Sequence, residues 1–168
     1  TYIEDLLNGM VLMMTNNKAK NQIFNLTFGN SRSLIELIDI LKKYLNAKYR
    51  EEIIFTKGAT EAINLVASSY GKKFINKGDE ILITELEHHS NYVPWHFIRK
   101  EKEAVIKFAP INENGEVEID EIKKLITSKT KIIAITHISN VTGAIMPIKK
   151  IVELAKEKNI PVLIDGTQ

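Results

Sequence analysis

Four short polar segments, each directly after an apolar run, hold most of the side chains of this chain that could do chemistry. They are KGATEA (57–62), ELEHHSN (85–91), HISN (137–140) and DGTQ (165–168). In an open α/β sheet, ligands bind beyond the carboxyl ends of the strands. We therefore expect the four segments to meet at one edge of a sheet and to form a single site there.

The first segment has the features of an anion site. Gly58 would let the backbone turn sharply and approach a ligand. The N–H groups of Ala59, Thr60 and Glu61 would then be free at a helix start, where the helix dipole favours negative charge. The alternative is that Thr60 only caps the helix. The glycine spacing matches neither dinucleotide nor nucleoside triphosphate sites.

Asp165 ends the apolar run IPVLI (160–164), so its carboxylate is predicted at the rim of a low-dielectric sheet. An unpaired carboxylate in such a place costs free energy or takes up a proton. It therefore needs a cationic or hydrogen-bonding partner, and a protonated pyridine nitrogen is one of suitable size. The alternative is an Asp that forms a turn or caps a helix before Gly166.

Three further candidates are an imidazole and two amides. His88 could stack on a flat aromatic ring and move protons near neutral pH. Asn140 and Gln168 could donate hydrogen bonds to a phenolic oxygen. Taken singly, each of the three is more often a surface, core or loop residue. No Ser–His–Asp order and no metal-ligand spacing stands out beside them.

Apolar runs alternate with amphipathic stretches from Ile53 onward, which predicts βα units and a mainly parallel sheet. Strands are expected at EIIFT (52–56), EILIT (80–84), AVIKF (104–108), KIIAIT (131–136) and PVLID (161–165). Helices are expected at 33–47, at 60–71 with Gly71 as the end, at 92–102 with Pro94 in the first turn, at 119–126 and at 148–159. Residues 1–32 remain poorly assigned, so we divide the chain into 1–32 and a domain over 33–168.

Length and composition suit one soluble domain. The chain has 168 residues, of which 44% are hydrophobic and 26% charged, with a formal charge of +2. This charge is too small to indicate nucleic acid or a membrane surface as a partner. The absence of cysteine excludes disulfides, thiolate metal sites and a cysteine nucleophile within the chain, and is compatible with the cytoplasm.

Four longer segments carry a family resemblance: GATEAINLVASSYG, GDEILITELEHHSNYVPW, THISNVTGAIMPI and VLIDGTQ. They resemble the cysteine desulfurases, class V aminotransferases of fold type I. The form EHHSN with VPW is similar to the sulfur-mobilisation branch and the selenocysteine lyases. The resemblance runs from about Ile53 to Gln168, while the first ~50 residues match poorly. It implies a three-layer αβα large domain that binds pyridoxal 5′-phosphate.

The resemblance also assigns roles to single residues. Ala59 and Thr60 would hold the phosphate of the cofactor. His88 would stack on the pyridine ring and shuttle protons. Asn140 and Gln168 would reach the hydroxyl group of the ring.

Asp165 would pair with the ring nitrogen and keep it protonated. The Schiff-base Lys of the family, the persulfide-forming Cys, the substrate-carboxylate Arg and the small C-terminal domain would all lie beyond Gln168. The resemblance therefore implies part of an enzyme that converts L-cysteine to L-alanine and an enzyme-bound persulfide, and we expect no turnover by this chain alone. A homodimer or a complementary C-terminal half, and a sulfur-acceptor protein, are the implied partners.

Three alternatives stay open at this point. The chain could be a non-enzymatic remnant of such an enzyme. It could be half of a selenocysteine lyase or of another class V aminotransferase. It could also be an unrelated α/β domain that binds a small molecule.

Overall fold

The computed structural model describes residues 3–23 and 33–167. The chain divides into two compact units, Thr1–Phe55 and Thr56–Gln168. The site residues predicted above all fall in the second unit.

The first unit is helical in its described part. It contains α1 (Ile3–Thr15), a 3-10 turn (Asn17–Ala19), α2 (Leu34–Tyr44) and a second 3-10 turn (Arg50–Glu52). The helix predicted over 33–47 is confirmed, and a capping box begins it: the Ser33 hydroxyl accepts the N–H of Glu36, and the Glu36 carboxylate accepts the N–H of Ser33. Over residues 3–23 and 33–167, no helix is long and apolar enough to cross a membrane.

The strand predicted over 52–56 is wrong. Glu52 ends the second 3-10 turn, and the following residues up to Thr56 adopt no regular structure. Ile54 and Phe55 are exposed. A β-strand is stabilised by pairing with a neighbour, and no strand of the described chain pairs with this segment.

The second unit is built on a four-stranded parallel sheet in the order β2-β1-β3-β4. Its strands are β1 (Glu80–Thr84), β2 (Val105–Ala109), β3 (Thr130–Thr136) and β4 (Val162–Asp165). The four predicted strands in this region are confirmed to within one residue. Since all four strands are parallel, their carboxyl ends meet at one edge of the sheet.

Helices cover both faces of the sheet and make the predicted three-layer αβα arrangement. They are α3 (Ala59–Val66), continued by a π-helical turn (Ala67–Gly71) and α4 (Lys72–Phe74), then α5 (His89–Lys102), α6 (Ile119–Leu125) and α7 (Ile148–Glu157). One apolar cluster joins β-strand residues to α6 and α7: Leu82, Ile133, Ile135, Ile122 and Ile151. The other joins the opposite face to α5: Ile81, Ile83, Ile132, Trp95 and Ile98.

Gly71 does not end its helix, contrary to the sequence prediction. Its backbone is right-handed helical (φ −57°, ψ −48°), and the chain stays helical to Phe74. A Cβ on Gly71 would lie 3.1 Å from Cγ1 of Ile98 in α5. Glycine at this position therefore permits a close approach between two helices rather than a helix stop.

Helix α5 begins three residues before the predicted start at Tyr92. His88 is its N-cap, because the imidazole accepts the N–H of Ser90. Pro94 consequently lies in the second turn of the helix and not in the first. The earlier start matters for the site, since it makes His88 part of a defined helix end.

Strand β3 is one of the two central strands of the sheet, and its buried side chains should contribute strongly to the stability of the second unit. Ile133 is fully buried in it, whereas Ile145 is 71% exposed. We expect Ile133→Ala to lower the free energy of unfolding by about 2–5 kcal/mol because it leaves a cavity in the core. The matched change Ile145→Ala should cost less than about 0.5 kcal/mol. Urea denaturation measures both, and equal losses would contradict the assigned core.

Candidate functional site

A cavity of about 160 Å³ lies at the carboxyl ends of β3 and β4. It is lined by Ala59, Thr60, His88, Ser90, Thr136, Asn140, Asp165 and Thr167. Five of the six residues predicted for the site therefore come together: Ala59, Thr60, His88, Asn140 and Asp165. The sixth, Gln168, lies outside the described residues. The volume is below the roughly 300–1,000 Å³ typical of drug-sized ligands and suits a compact one.

The start of α3 lines one part of the cavity. The first N–H groups of an α-helix have no acceptor within the helix. Within the described ranges, no hydrogen bond uses the N–H groups of Ala59 and Thr60. Together with the positive end of the helix dipole, they favour an anion.

The capping interpretation of Thr60 is wrong. Gly58 is the N-cap of α3, and Thr60 lies inside the first turn. The chain does bend at Lys57 and Gly58, as predicted, although the backbone of Gly58 itself is extended with φ 162°. An ideal Cβ on Gly58 would meet nothing within 4 Å, so open space lies in front of this helix end.

Asp165 is the last residue of β4, and it is buried, with 6% of its surface exposed. Its Oδ1 accepts the N–H of Thr167 at 3.2 Å and also the hydroxyl of Thr167. This is the turn-forming arrangement that the sequence left open as the alternative. Among residues 3–23 and 33–167, no ion pair reaches the carboxylate and no hydrogen bond reaches Oδ2. One oxygen of a buried carboxylate is thus available to a ligand.

His88 is exposed at the start of α5 and lines the cavity. Its Nδ1 accepts the N–H of Ser90 at 3.2 Å and lies 2.8 Å from the Ser90 hydroxyl oxygen. Because Nδ1 accepts a backbone N–H, the proton of the neutral ring is assigned to Nε2. The helix end therefore fixes one edge of the imidazole and leaves the other edge for a ligand or a proton.

Asn140 lies in the exposed loop between β3 and α7. The neighbouring Ser139 is buried, and its hydroxyl accepts the N–H groups of Val141 and Thr142, both at 3.3 Å. The N–H of Ser139 donates to the carbonyl of Ala144 at 2.9 Å. The loop is thus held by its own polar groups, which gives Asn140 a defined place beside the cavity.

A carboxyl group that the sequence reasoning missed lies just behind this surface. Glu87 Oε1 accepts the Thr84 hydroxyl at 2.6 Å and the N–H of Thr136 at 3.0 Å. Its Oε2 accepts the amide of Asn91 at 2.7 Å. The three donors belong to β1, β3 and α5, so one side chain links three elements at the edge of the sheet.

Glu87 also interacts with the charge of Asp165. Burial raises the pKa of the Glu87 carboxyl above its usual value, and the negative charge of Asp165 adds to the rise. The hydrogen bonds from Thr84, Thr136 and Asn91 oppose this rise without cancelling it. The edge of the sheet therefore concentrates negative charge, which favours a cationic group in the cavity.

The lining residues that sequence reasoning did not single out are hydroxyl side chains: Ser90, Thr136 and Thr167. One sequence signal was present for Thr167, because a hydroxyl residue two positions after an Asp is typical of an Asx turn. Within the described residues, no group of three His, Asp or Glu side chains is arranged to hold a metal ion.

Comparison with known proteins connects this geometry to a family. The sequence pattern of the Aminotransferase class-V family matches residues 11–168. A protein of Halalkalibacterium halodurans named "Probable cysteine desulfurase" is 46% identical over 128 residues, which cover 76% of this chain and 32% of that protein. The chain thus spans about a third of the length of this curated relative.

Solved structures agree on the fold. A cysteine desulfurase from Escherichia coli aligns with a TM-score of 0.74 and 26% identity, over 96% of this chain and 41% of that one. A mutant enzyme whose structure holds glycine covalently linked to its pyridoxal phosphate cofactor aligns with a TM-score of 0.65 at 18% identity, over 96% of this chain and 43% of that one. The four-stranded sheet and its helices thus match part of a fold type I domain, as the family resemblance implied.

The coupling between the two carboxyl groups can be measured directly. Asp165→Asn removes a negative charge near Glu87, so we expect it to lower the raised pKa of Glu87 toward the usual glutamate value. The titration of the Glu87 carboxyl ¹³C resonance measures this change. Asp120→Asn, which alters an exposed side chain on α6, is the control and should leave the titration unchanged. A pKa of Glu87 that stays the same in Asp165→Asn would contradict the coupling between the two carboxyl groups.

Proposed function

Because this chain belongs to the class V aminotransferase family, a family of pyridoxal phosphate-dependent enzymes, we propose that its cavity binds pyridoxal 5′-phosphate. In this proposal residues 33–168 are part of the cofactor-binding large domain of a cysteine desulfurase-like enzyme. One observation carries the proposal. The free N–H groups at the start of α3 and a buried carboxylate with an open oxygen line the same small cavity.

The donor set fits the two ends of the cofactor. A phosphate group is an anion and suits the N–H groups of Ala59 and Thr60. A pyridine nitrogen can take a proton, and the resulting cation suits the carboxylate of Asp165. The turn at Thr167 keeps Oδ1 of Asp165 occupied, so Oδ2 is the oxygen that would receive the ring N–H.

The remaining lining residues act on the ring and its surroundings. When bound, the cofactor supplies an electron sink, and a protonated ring nitrogen strengthens it. Asp165 holds that proton on the ring. His88 stacks on the ring and moves protons through Nε2, while Nδ1 stays bound to Ser90. Asn140, and in the sequence prediction Gln168, donate to the hydroxyl of the ring.

The substrate in this proposal is an amino acid, and L-cysteine is favoured because the relative and the Escherichia coli structure carry the name cysteine desulfurase. The reaction would release alanine and transfer sulfur to a cysteine thiol as a persulfide. This chain has no cysteine, so another segment or chain would provide that thiol. A homodimer or complementary half, a sulfur-acceptor protein and a cytoplasmic location complete the proposal.

Pyridoxamine 5′-phosphate is the probe that tests the proposal, because it has no aldehyde to react with surface lysines. We expect the chain to bind it, with a change in probe fluorescence that gives Kd. Asp165→Asn should weaken binding by about tenfold or more, because an opposite charge near an ionised group shifts its pKa by roughly 1–3 units.

Asp120→Asn is the matched control, since it makes the same chemical change on an exposed part of α6. It should leave Kd unchanged. A chain that does not bind the probe, or binds it equally well after Asp165→Asn, would contradict the proposed function.

A further inference from the structure

Glu87 makes more short hydrogen bonds within the fold than a partly exposed side chain needs, since water could satisfy part of its carboxylate. It lies only partly buried, yet all of its three hydrogen bonds are 3.0 Å or shorter. They come from the last residue of β1, the last residue of β3 and the first turn of α5. Glu87 itself is not among the residues that line the cavity.

The donor on α5 is itself fixed by a buried contact. Asn91 is fully buried, and its Oδ1 accepts Nε1–H of Trp95, also fully buried, at 3.2 Å. Because Oδ1 is occupied by a donor, the Nδ2 group must face the other way, toward Glu87 at 2.7 Å. Trp95 therefore donates to Asn91, and Asn91 donates to Glu87, so the two hydrogen bonds run in one direction from the core to the edge of the sheet.

Glu87 and Asn91 lie on either side of His88, which lines the cavity. His88 directly follows Glu87, and the N–H of Asn91 donates to the carbonyl of His88 at 2.8 Å. The turn from 87 to 91 is thus held at both ends, and the imidazole between them has its Nδ1 bound to Ser90. Such a turn has little freedom to reorient the ring.

We propose that Glu87 is the positioning residue of the site, holding the turn between β1 and α5 against the end of β3 so that His88 is preset for stacking on a bound pyridine ring. This inference rests on the proposed function, because the ring is that of the cofactor. Glu87 acts through His88 and does not touch the ligand.

Two substitutions that together preserve the net charge show whether the hydrogen bond of Glu87 or its negative charge matters for the position of His88. In Glu87→Gln the new amide can keep its oxygen toward Thr84 and Thr136, but its NH₂ then faces the NH₂ of Asn91. Adding Asn91→Asp turns that partner into an acceptor, so the hydrogen bond forms again in the opposite direction. Trp95 keeps an oxygen to donate to, and the net charge of the double variant equals that of the unaltered chain.

The readouts are Kd for pyridoxamine 5′-phosphate and the circular dichroism induced in its absorption band, which reports the orientation of the bound ring. We expect Glu87→Gln to weaken binding by about tenfold, the cost of one mismatched buried donor, and to reduce the induced band. The double variant Glu87→Gln/Asn91→Asp should restore both.

The control is Glu85→Gln, the same chemical change two residues earlier in the segment between β1 and α5. Glu85 is exposed and accepts the N–H of Ile111 at 3.1 Å, and it does not line the cavity. It should leave Kd and the induced band unchanged. Far-UV circular dichroism during thermal unfolding identifies any variant that loses the fold.

Thr84→Val keeps the test decisive if Glu87→Gln does not fold. At similar side-chain volume it removes the hydrogen bond to Glu87 and also the one that the Thr84 hydroxyl accepts from the N–H of Leu86 at 3.1 Å, both within the turn after β1, and it should weaken probe binding by about threefold.

Folded variants with unchanged Kd and induced band would overturn this inference, and so would a folded double variant that restores neither. If the unaltered chain does not bind the probe, the proposed function fails and this inference fails with it. If the unaltered chain binds and Asp165→Asn weakens binding while Glu87→Gln and Thr84→Val do not, this inference alone is wrong.

Discussion

Two carboxyl groups at the edge of an apolar sheet are the constraint on which the site depends. A buried charge costs several kcal/mol unless hydrogen bonds or an opposite charge compensate it. Glu87 is compensated within the fold by donors from Thr84, Thr136 and Asn91. Among residues 3–23 and 33–167, Asp165 is compensated only on Oδ1, by Thr167. The other oxygen of Asp165 accepts no hydrogen bond from the described residues, and the proposed function assigns the ring nitrogen of the cofactor to it.

The parallel sheet brings these groups together. Thr136 and Asp165 are register partners at the ends of β3 and β4, and the N–H of Thr136 donates to Glu87. The same edge receives the turn that carries His88 and the loop that carries Asn140. The parallel topology therefore brings three separate segments of sequence to one edge, where ligands of such sheets bind, and the start of α3 adds the fourth segment.

The sequence was sufficient where local pattern determines structure. EILIT and KIIAIT are apolar and β-branched, and both are strands. His88, Asn140 and Asp165 were correctly expected to meet because each follows a strand. Ala59 and Thr60 also line the cavity, but they reach it from the start of α3 and not from the strand expected before them. EIIFT is similarly apolar but forms no strand, because a strand needs a neighbour to pair with, and such pairing depends on the tertiary fold. Gly71 was misread for a similar reason: what it accommodates is Ile98, which lies 27 positions further along the chain.

Glu87 shows a different limit of sequence reasoning. Two of its donors lie 3 and 4 residues away, but the third, Thr136, is 49 residues away, and only the folded sheet brings it near. In the sequence this glutamate is one of two acids in the polar loop ELEHHSN (85–91). Its importance follows from burial and from the direction of each hydrogen bond, and neither is encoded in local pattern.

The central claim is that Asp165 holds a proton on the ring nitrogen of the cofactor, and ¹⁵N NMR tests it most directly. Pyridoxamine 5′-phosphate labelled with ¹⁵N in the ring would be bound to the unaltered chain and its ring-nitrogen shift followed with pH. The account predicts the shift of a protonated pyridine, retained to a higher pH than in the free compound. A bound ring nitrogen that loses its proton at the same pH as the free compound, or at a lower one, would contradict it.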